Sequence, residues 1–493
     1  MKSAERRYLI GIFALGFLLR CLLLQGRSIQ YDDAFSILIS ERSLSEIVAG
    51  TAADTMPPLY YFLLHFWMMV SRHLWWLRLL SVVLNMASIA LLYSLVTTLL
   101  DRRSGLWAAF LAAIAPVQIY HAQDLRMYAL LAFCQIAYLW FFGQIWVTYS
   151  LGKKSHLLHW AGLVVSGMLA MYSHNLAGFL LVAPNLFLLF KRQWRLLGYL
   201  CLAQVGIGLL ALPWLWMVPG QVAKIQSAFW TPRPGVVEVL QTLVLFTASL
   251  PLRGVWLPIA MVLSLQVLVM VVMELAKDRE GKEGLLLLVV AGLTPPFLLF
   301  IISYVMRPVF VPRGFLVSAL IYAALAGRAI SRSWERKVGA LLAGSLVIAS
   351  MISLPYQITF REFPRSPFAE AVEALESSTR PGDRLIHDNK LSAFPFLIYA
   401  PQIEQSFLAD EAGSHNDTLA FASQEAMELF PQSDIVQATE GAERVHFVVF
   451  TKAITEYQET GGGEHPNLTW LEAHFRRTGW MVFNDLEVYT FER

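Results

Sequence analysis

Charged residues are scarce in this sequence. Asp, Glu, Lys and Arg make up 15% of its 493 residues, whereas soluble domains average roughly 25%. Hydrophobic residues make up 56% of the chain. This balance excludes an ordinary soluble protein over the whole length and indicates long segments that lie in lipid.

Cysteines and nucleotide-binding motifs are also nearly absent. The three cysteines, Cys21, Cys134 and Cys201, fall in apolar runs, so the sequence indicates neither a disulfide framework nor a zinc site. The triplet Gly461-Gly462-Gly463 lacks the lysine and hydroxyl residue of a phosphate-binding loop and is typical of a flexible turn.

Acidic residues are unevenly distributed along the chain. Residues 1–354 hold 14 of the 36 Asp and Glu, and residues 355–493 hold 22 together with 10 Lys and Arg, a formal charge of −12 that argues against nucleic-acid binding. We predict a transmembrane module over 1–354, with a large first outer loop at 25–76, and a soluble domain over 355–493. Strand patterns near 382–387, 445–450 and 487–491 and helical patterns near 367–375, 391–399 and 466–477 make that domain a small α/β fold.

Hydrophobic runs predict about 11 membrane spans, because a helix needs about 20 apolar residues to cross a bilayer. The segments are 8–24, 77–99, 105–120, 127–149, 158–172, 176–190, 196–217, 255–276, 284–305, 314–327 and 338–354.

Lysine and arginine separate the connecting loops into two sets. One set holds 17 Lys and Arg in 38 residues and is predicted to be cytoplasmic, whereas the alternate set holds 9 in 105 residues and is predicted to face outward. This places the N-terminus in the cytoplasm and the acidic C-terminal domain outside. The apolar stretch 57–67 would invert every later loop if it crossed, so we interpret it as an interfacial helix. The cytoplasmic set is 1–7, 101–104, 152–156, 191–195, 277–283 and 328–337.

Candidate catalytic side chains gather at the predicted outer ends of the spans. Asp32 and Asp33 lie between apolar flanks and could supply a general base, or could equally begin the amphipathic segment 34–49 as an acidic helix cap. Asp124 and Arg126 follow the third span and could act in a site or simply neutralise one another.

Two further arginines and two histidines lie in the outer loops. Arg307 and Arg313 could hold a phosphate through paired hydrogen bonds or anchor the helix ends at the interface. His174, in a very short turn, and His65 are each more often structural than catalytic. Ionisable groups at the outer surface favour a reaction there over transport, which would place them near the bilayer midplane.

Five segments of the sequence form a pattern by their order and spacing. They are Tyr31-Asp32-Asp33-Ala34, Met56-Pro57-Pro58-Leu59-Tyr60-Tyr61 with His65, Leu77-Arg78-Leu79-Leu80-Ser81, Gln123 to Leu130, and Val311-Pro312-Arg313-Gly314-Phe315-Leu316. Taken together, these segments resemble bacterial members of the protein-mannosyltransferase-like (GT-C type) glycosyltransferases, and the resemblance covers most of residues 1–330. The family commonly has Asp-Glu at Asp32-Asp33 and Gln-Glu-Ala-Arg at 123–126, so this chain keeps both carboxylates but shortens their reach.

The resemblance implies a GT-C-like enzyme of a bacterial inner membrane that moves a sugar, with inversion, from a polyprenyl-phosphate donor to an outer acceptor. Asp32 would be the base, Asp33 would orient that base or the acceptor, and Asp124 would support the second acidic position. Arg126, Arg313 and Arg307 would hold the donor phosphate. The acceptor, whether lipid, glycan or protein, stays open, and so does a divalent metal, which some relatives use and others do not.

Possible substrate contacts are Tyr60 and His65, which lie in the family-like segments, and His174, the ionisable residue of the short outer turn. Two other functions remain alternatives: a transporter or flippase of a lipid-linked sugar, and a polymerase or ligase of surface polysaccharide.

Overall fold

The computed structural model describes residues 3–222, 233–306, 308–359, 366–410, 419–459 and 463–493. The chain divides into two compact units. The first unit contains Met1–Leu24 and Thr55–Arg361, and the second contains Gln25–Asp54 and Glu362–Arg493. Residues 25–54 therefore group with the C-terminal residues by packing. The division into a transmembrane module over 1–354 and a soluble domain over 355–493 stays a prediction.

Within the described residues of the first unit, all the regular secondary structure is helical. Short 3-10 turns at Asn175–Ala177, Pro312–Phe315 and Trp334–Arg336 interrupt its helices. The helices are Ser3–Cys21, Leu59–Met68, Leu74–Leu99, Arg102–Ile114, Pro116–Ala122, Tyr128–Ser150, Leu157–Ser173, Gly178–Leu181, Ala183–Phe190, Trp194–Leu215, Val236–Thr247, Trp256–Lys277, Lys282–Val305, Leu316–Ser333 and Val338–Thr359.

Each predicted span corresponds to a helix or to a broken pair of helices, but the count of about 11 spans is not confirmed. Among the described residues, seven helices are long and apolar enough to cross a membrane, or eight if the pair Arg102–Ile114 and Pro116–Ala122, bent by 60°, counts as one. Leu157–Ser173 and Asn175–Phe190 are shorter apolar helices. Ser3–Cys21 is 19 residues long and carries several charges, which lower its mean hydropathy. The polytopic helical fold class is nevertheless confirmed.

Ion pairs join five of the six loops that the charge rule assigns to the cytoplasm. Arg328 is the centre of this group and reaches carboxylates in two other loops. Because these contacts all lie within the first unit, they bring the positively charged loops to one end of the helices. The pairs are Arg102–Glu5 at 3.3 Å, Arg328–Asp278 at 2.6 Å, Lys191–Glu283 at 2.5 Å, Arg332–Glu280 at 2.9 Å, and Arg328–Asp101.

The second unit is built on one five-stranded sheet, in the order β2-β1-β3-β5-β4. β1, β2 and β3 are parallel, and β5 pairs antiparallel with β3 and β4. This confirms the predicted α/β fold of the C-terminal domain. The strands are β1 Arg384–His387, β2 Gln405–Phe407, β3 Arg444–Phe450, β4 Arg476–Phe483 and β5 Leu486–Glu492.

Alternating side chains of β3 supply the two faces of this sheet. Phe447 belongs to a core that also contains Leu471 of the helix Pro466–His474. Val448 belongs to the opposite core, with Phe368 and Phe396 from two other helices. The sheet is therefore covered by helices on both faces, as the period of two along a buried strand requires. The unit's helices are Tyr31–Ser40, Leu44–Asp54, Phe368–Glu376, Lys390–Tyr399, Phe421–Met427, Ile435–Ala438, Thr451–Glu459 and Pro466–His474.

Candidate functional site

A carboxylate at the end of the short helix Pro116–Ala122 is held on two sides. The Asp124 Oδ2 atom lies 2.7 Å from Nδ1 of His121. The backbone carbonyl of Asp124 accepts a 2.7 Å hydrogen bond from the Ser81 hydroxyl on the helix Leu74–Leu99. Because Asp124 is only 5% exposed, its carboxylate has little freedom to move.

Two buried tyrosines approach the segment that carries Asp124, one through Ser81 and the other through Arg126. Their helix, Leu59–Met68, begins directly after Pro57-Pro58, where the missing N–H groups of proline cost nothing. The Tyr60 hydroxyl lies 3.5 Å from the Ser81 hydroxyl, and the Tyr61 hydroxyl accepts a 3.4 Å hydrogen bond from Nη1 of Arg126. The motif around Tyr60 therefore meets the motif around Asp124.

Tyr128 joins the remaining charged side chains to the same place. The Arg313 guanidinium carbon lies 5.6 Å from the centre of the Tyr128 ring, within the range of a cation–π contact. The rings of His121 and His174 approach the Tyr128 ring at centroid distances of 5.6 Å and 5.9 Å. Tyr128 is thus in contact with groups from three separate segments of the chain.

His174 lies in the turn that follows the helix Leu157–Ser173, and it is neutral there. Burial, together with the positive charges of Arg126 and Arg313, lowers the pKa of His174 to about 3. A neutral ring is consistent with the 3.0 Å hydrogen bond that its Nδ1 accepts from the Leu176 N–H. Nε2 then carries the proton and is a hydrogen-bond donor.

We call these side chains the polar cluster. Five of its members were predicted as site residues, namely Tyr60, Asp124, Arg126, His174 and Arg313. Sequence reasoning did not select the other four, which are Tyr61, Ser81, His121 and Tyr128. All four lie within or beside the family-like segments, and that adjacency is the signal that could have identified them.

Asp32 and Asp33 lie in the second unit, in the first turn of the helix Tyr31–Ser40. The helix cap is Gln30, so neither acid is the capping residue, although both complement the helix dipole. Asp33 is only 2% exposed. The predicted amphipathic segment 34–49 is divided between two helices, because the first ends at Ser40 and the next begins at Leu44.

Contacts within the second unit fix the start of this helix. The Ile29 N–H donates a 2.8 Å hydrogen bond to the Tyr399 hydroxyl, and the Gln30 side-chain amide donates one of 3.0 Å to the Ser366 carbonyl. The Tyr31 ring lies 5.3 Å from that of Phe394. The helix that carries both acids is therefore anchored to the residues around 366–399.

Two further predicted site residues remain, His65 and Arg307. His65 is partly exposed and lies one helical turn after Tyr61, with its ring against that of Phe66 at 5.2 Å. Arg307 lies outside the described residues. Within the described part of the chain, no group of three or more His, Cys, Asp or Glu is arranged to hold a metal ion.

Comparison with known proteins gives one family match and several structural likenesses. Residues 55–217 match the family model described as dolichyl-phosphate-mannose-protein mannosyltransferase. A search of curated protein sequences finds no match to the chain.

Two of the similar solved structures are of ArnT from Cupriavidus metallidurans. In the apo state its TM-score is 0.63 at 13% identity, with 99% of this chain and 98% of that chain covered. Bound to undecaprenyl phosphate its TM-score is 0.63 at 12% identity, with 98% of each chain covered. A third structure is the oligosaccharyltransferase AglB from Archaeoglobus fulgidus with an inhibitory peptide and a dolichol-phosphate, at a TM-score of 0.53 and 12% identity, covering 99% of this chain and 74% of that chain.

The chain is similar in fold to ArnT and AglB over nearly its whole length, and this likeness supports a polytopic helical fold of the GT-C type. More particularly, its segment 55–217, which contributes most of the polar cluster, is protein-mannosyltransferase-like. Both statements confirm the resemblance drawn from the sequence.

Proposed function

We propose that this protein transfers a sugar from a polyprenyl-phosphate donor to an acceptor at the outer face of a bacterial inner membrane. The observation that carries the proposal is the polar cluster itself. It gathers a buried carboxylate, two arginines and a neutral histidine from several helices of a fold that is otherwise apolar. Ionisable groups in such surroundings are costly and are typical of functional sites.

The position of the cluster along the helices supports an outer site. Tyr128 begins a 23-residue helix that ends at Ser150, just before Lys153 and Lys154. Arg313 likewise precedes the helix Leu316–Ser333, whose last turns carry Arg328. The polar cluster and the positively charged loops thus lie at opposite ends of these helices, and the positive-inside rule assigns the charged end to the cytoplasm.

The donor class is supported by the solved relatives. ArnT is described with bound undecaprenyl phosphate, and AglB with dolichol-phosphate. Arg126 and Arg313 offer this chain two cations for such a phosphate, and arginine matches phosphate oxygens through paired hydrogen bonds. We assign the leaving phosphate to these two side chains, with Arg307 as a third candidate.

For the chemical step we propose Asp32 as the general base and Asp33 as the residue that orients it. The acceptor hydroxyl oxygen bonds to the anomeric carbon as the base takes its proton. The bond from that carbon to the lipid phosphate breaks on the opposite face of the sugar, which inverts the anomeric carbon. Asp124, oriented by His121, supplies the second acidic group of the proposed site. Tyr60, His65 and the donor Nε2 of His174 are candidate substrate contacts.

The experiment that tests this function is transfer of radiolabelled sugar from a panel of polyprenyl-phosphate donors by the purified protein in lipid. The acceptor set contains lipids, glycans and peptides. We expect transfer by the wild type, its loss in Asp32→Asn, and its retention in Glu46→Gln, which removes an exposed carboxylate of the same outer loop. Equal transfer by the wild type and Asp32→Asn would remove Asp32 from the mechanism, and no transfer from any donor would contradict the proposed function.

A further inference from the structure

Arg20 is a fully buried arginine in the apolar first unit. It lies in the helix Ser3–Cys21 and is 0% exposed. Its Nε donates a 2.8 Å hydrogen bond to the Asn85 side-chain carbonyl. The rest of its guanidinium donates to backbone carbonyls: Nη1 to Gly16 at 2.9 Å and to Ala113 at 2.8 Å, and Nη2 to Ala112 at 3.1 Å.

Two of these carbonyls lie at the 60° bend between Arg102–Ile114 and Pro116–Ala122. Pro116 has no N–H, so it cannot donate to the carbonyl of Ala112 four residues earlier. Ala115 has an extended conformation (φ −62°, ψ 118°), which ends the first helix. The Arg20 guanidinium therefore satisfies carbonyls that the bend leaves without their helical partners, and buried carbonyls without a partner are costly.

The same geometry explains how the charge of Arg20 is accommodated. Among the described residues, its hydrogen bonds go to neutral groups and none goes to a carboxylate. The last carbonyls of a helix carry a partial negative charge, and a cation at that end is stabilised. Gly16 permits the close approach, because a Cβ at Gly16 would lie 3.1 Å from the Cβ of Ala113.

A chain of hydrogen bonds leads from Arg20 to both sides of the polar cluster. Asn85 donates to Gln118 at 2.9 Å, and Gln118 donates to the Leu316 carbonyl at 3.1 Å, directly after the turn that carries Arg313. On the other side, Gln123 donates to the carbonyl of Arg20 itself at 2.9 Å. Gln123 is the immediate neighbour of Asp124.

We propose that Arg20 is a positioning residue that fixes the helix bend and thereby sets Asp124 relative to Arg313. None of its hydrogen bonds goes to either of these side chains. Its guanidinium acts towards Asp124 through the carbonyls of the bend and towards Arg313 through Asn85 and Gln118. Its effect on turnover rests on the proposed transferase function, whereas its effect on the local structure does not.

The test compares Arg20→Met with Arg20→Lys and with a matched control, Arg328→Met. Arg328 is a buried arginine of the same unit whose partners are carboxylates at the opposite helix ends. We expect Arg20→Met to lower kcat about 100-fold, as a misplacement of about 1 Å in a catalytic group does, with the KM for the donor nearly unchanged. Lysine should not restore kcat, because one ammonium group cannot span the four acceptors. Arg328→Met should lose thermal stability but keep its kcat.

Hydrogen exchange in lipid nanodiscs provides a readout that does not depend on activity. Amides of residues 116–126 and 313–318 should exchange faster in Arg20→Met than in the wild type, whereas Arg328→Met should leave both segments unchanged. If Arg20→Met folds poorly, Gln118→Met is the second variant, because it interrupts the same chain of hydrogen bonds without removing a charge. It should increase amide hydrogen exchange in residues 313–318.

Unchanged exchange in these segments would overturn the positioning role, and so would a loss of stability with kcat intact. If the wild type transferred no sugar, the proposed function would fail while the exchange measurement would still decide the role of Arg20.

Discussion

Two contacts restrain Asp124, one on its backbone and one on its carboxylate. They suit a residue whose position matters more than the basicity of its carboxylate. Ser81 holds its backbone and His121 holds its carboxylate, so the direction of the carboxylate is set before a substrate arrives. Because positioning can supply a large part of a rate enhancement, both contacts should affect catalysis.

A double-mutant cycle tests this pair. We expect Asp124→Asn and His121→Asn each to lower kcat, the first by about 100-fold, because a positioned carboxylate typically contributes on this scale. If His121 acts only through Asp124, the double variant should be no slower than Asp124→Asn alone. The measurement is kcat for sugar transfer by each purified variant. Independent, multiplying effects would contradict the pairing.

At this scale the sequence predicted the charged members of the cluster better than the neutral ones. Asp124, Arg126 and Arg313 were selected because charge is rare in an apolar chain. Tyr61 and Tyr128 were not selected, since a tyrosine at the start of an apolar helix is ordinary in sequence. Their contributions arise from contacts between segments far apart in the chain, which a local pattern does not contain.

Among the elements, the helices Arg102–Ile114 and Leu316–Ser333 pack closely against one another at a glycine. A Cβ at Gly327 would lie 2.6 Å from the backbone nitrogen of Ala108, nearer than any real contact allows. The first of these helices leads to the bend at Pro116, and the second follows the turn that carries Arg313. The distance between the two helices therefore affects the geometry of the polar cluster.

Gly327→Ala should therefore destabilise the protein by about 1–3 kcal/mol, the usual cost of overpacking a well-packed core. Gly344→Ala is the matched control. Gly344 lies in a different membrane helix, Val338–Thr359, and a Cβ there would meet nothing within 4 Å. Thermal unfolding in detergent measures both variants. A melting temperature of Gly327→Ala equal to that of Gly344→Ala would show that the helices separate without cost.

Predictions of elements succeeded for the apolar runs and for three of the five strands, and they missed β2 and β4. The helices over the apolar runs and the strands β1, β3 and β5 were anticipated. β2 is only three residues long, and β4 begins at Arg476, within the predicted helix 466–477 that in fact ends at His474. Only Phe475 separates that helix from β4, so no turn signal marked the change.

For the molecule as a whole, charge separation predicts the topology. The positively charged loops are joined by ion pairs at one end of the first unit, and the C-terminal domain, residues 355–493, is strongly acidic. We expect the positively charged loops to be cytoplasmic. An odd number of spans then places the C-terminal domain on the extracytoplasmic side.

Labelling with a membrane-impermeant maleimide tests this orientation. In a background with the three native cysteines replaced by serine, Glu440→Cys should react in intact spheroplasts, and Lys153→Cys should react only after the membrane is opened. The reverse pattern would invert the topology and place the polar cluster on the cytoplasmic face.

The central claim is that this protein breaks the bond between a sugar and a lipid phosphate. The most direct measurement uses a polyprenyl-phosphate sugar labelled with ³H in the sugar and ³²P in the phosphate, given with an acceptor extract to protein in sealed proteoliposomes. The account predicts that the two labels separate, with one equivalent of polyprenyl phosphate formed for each sugar transferred. Labels that cross the bilayer together, with the donor intact, would contradict the account and identify a flippase.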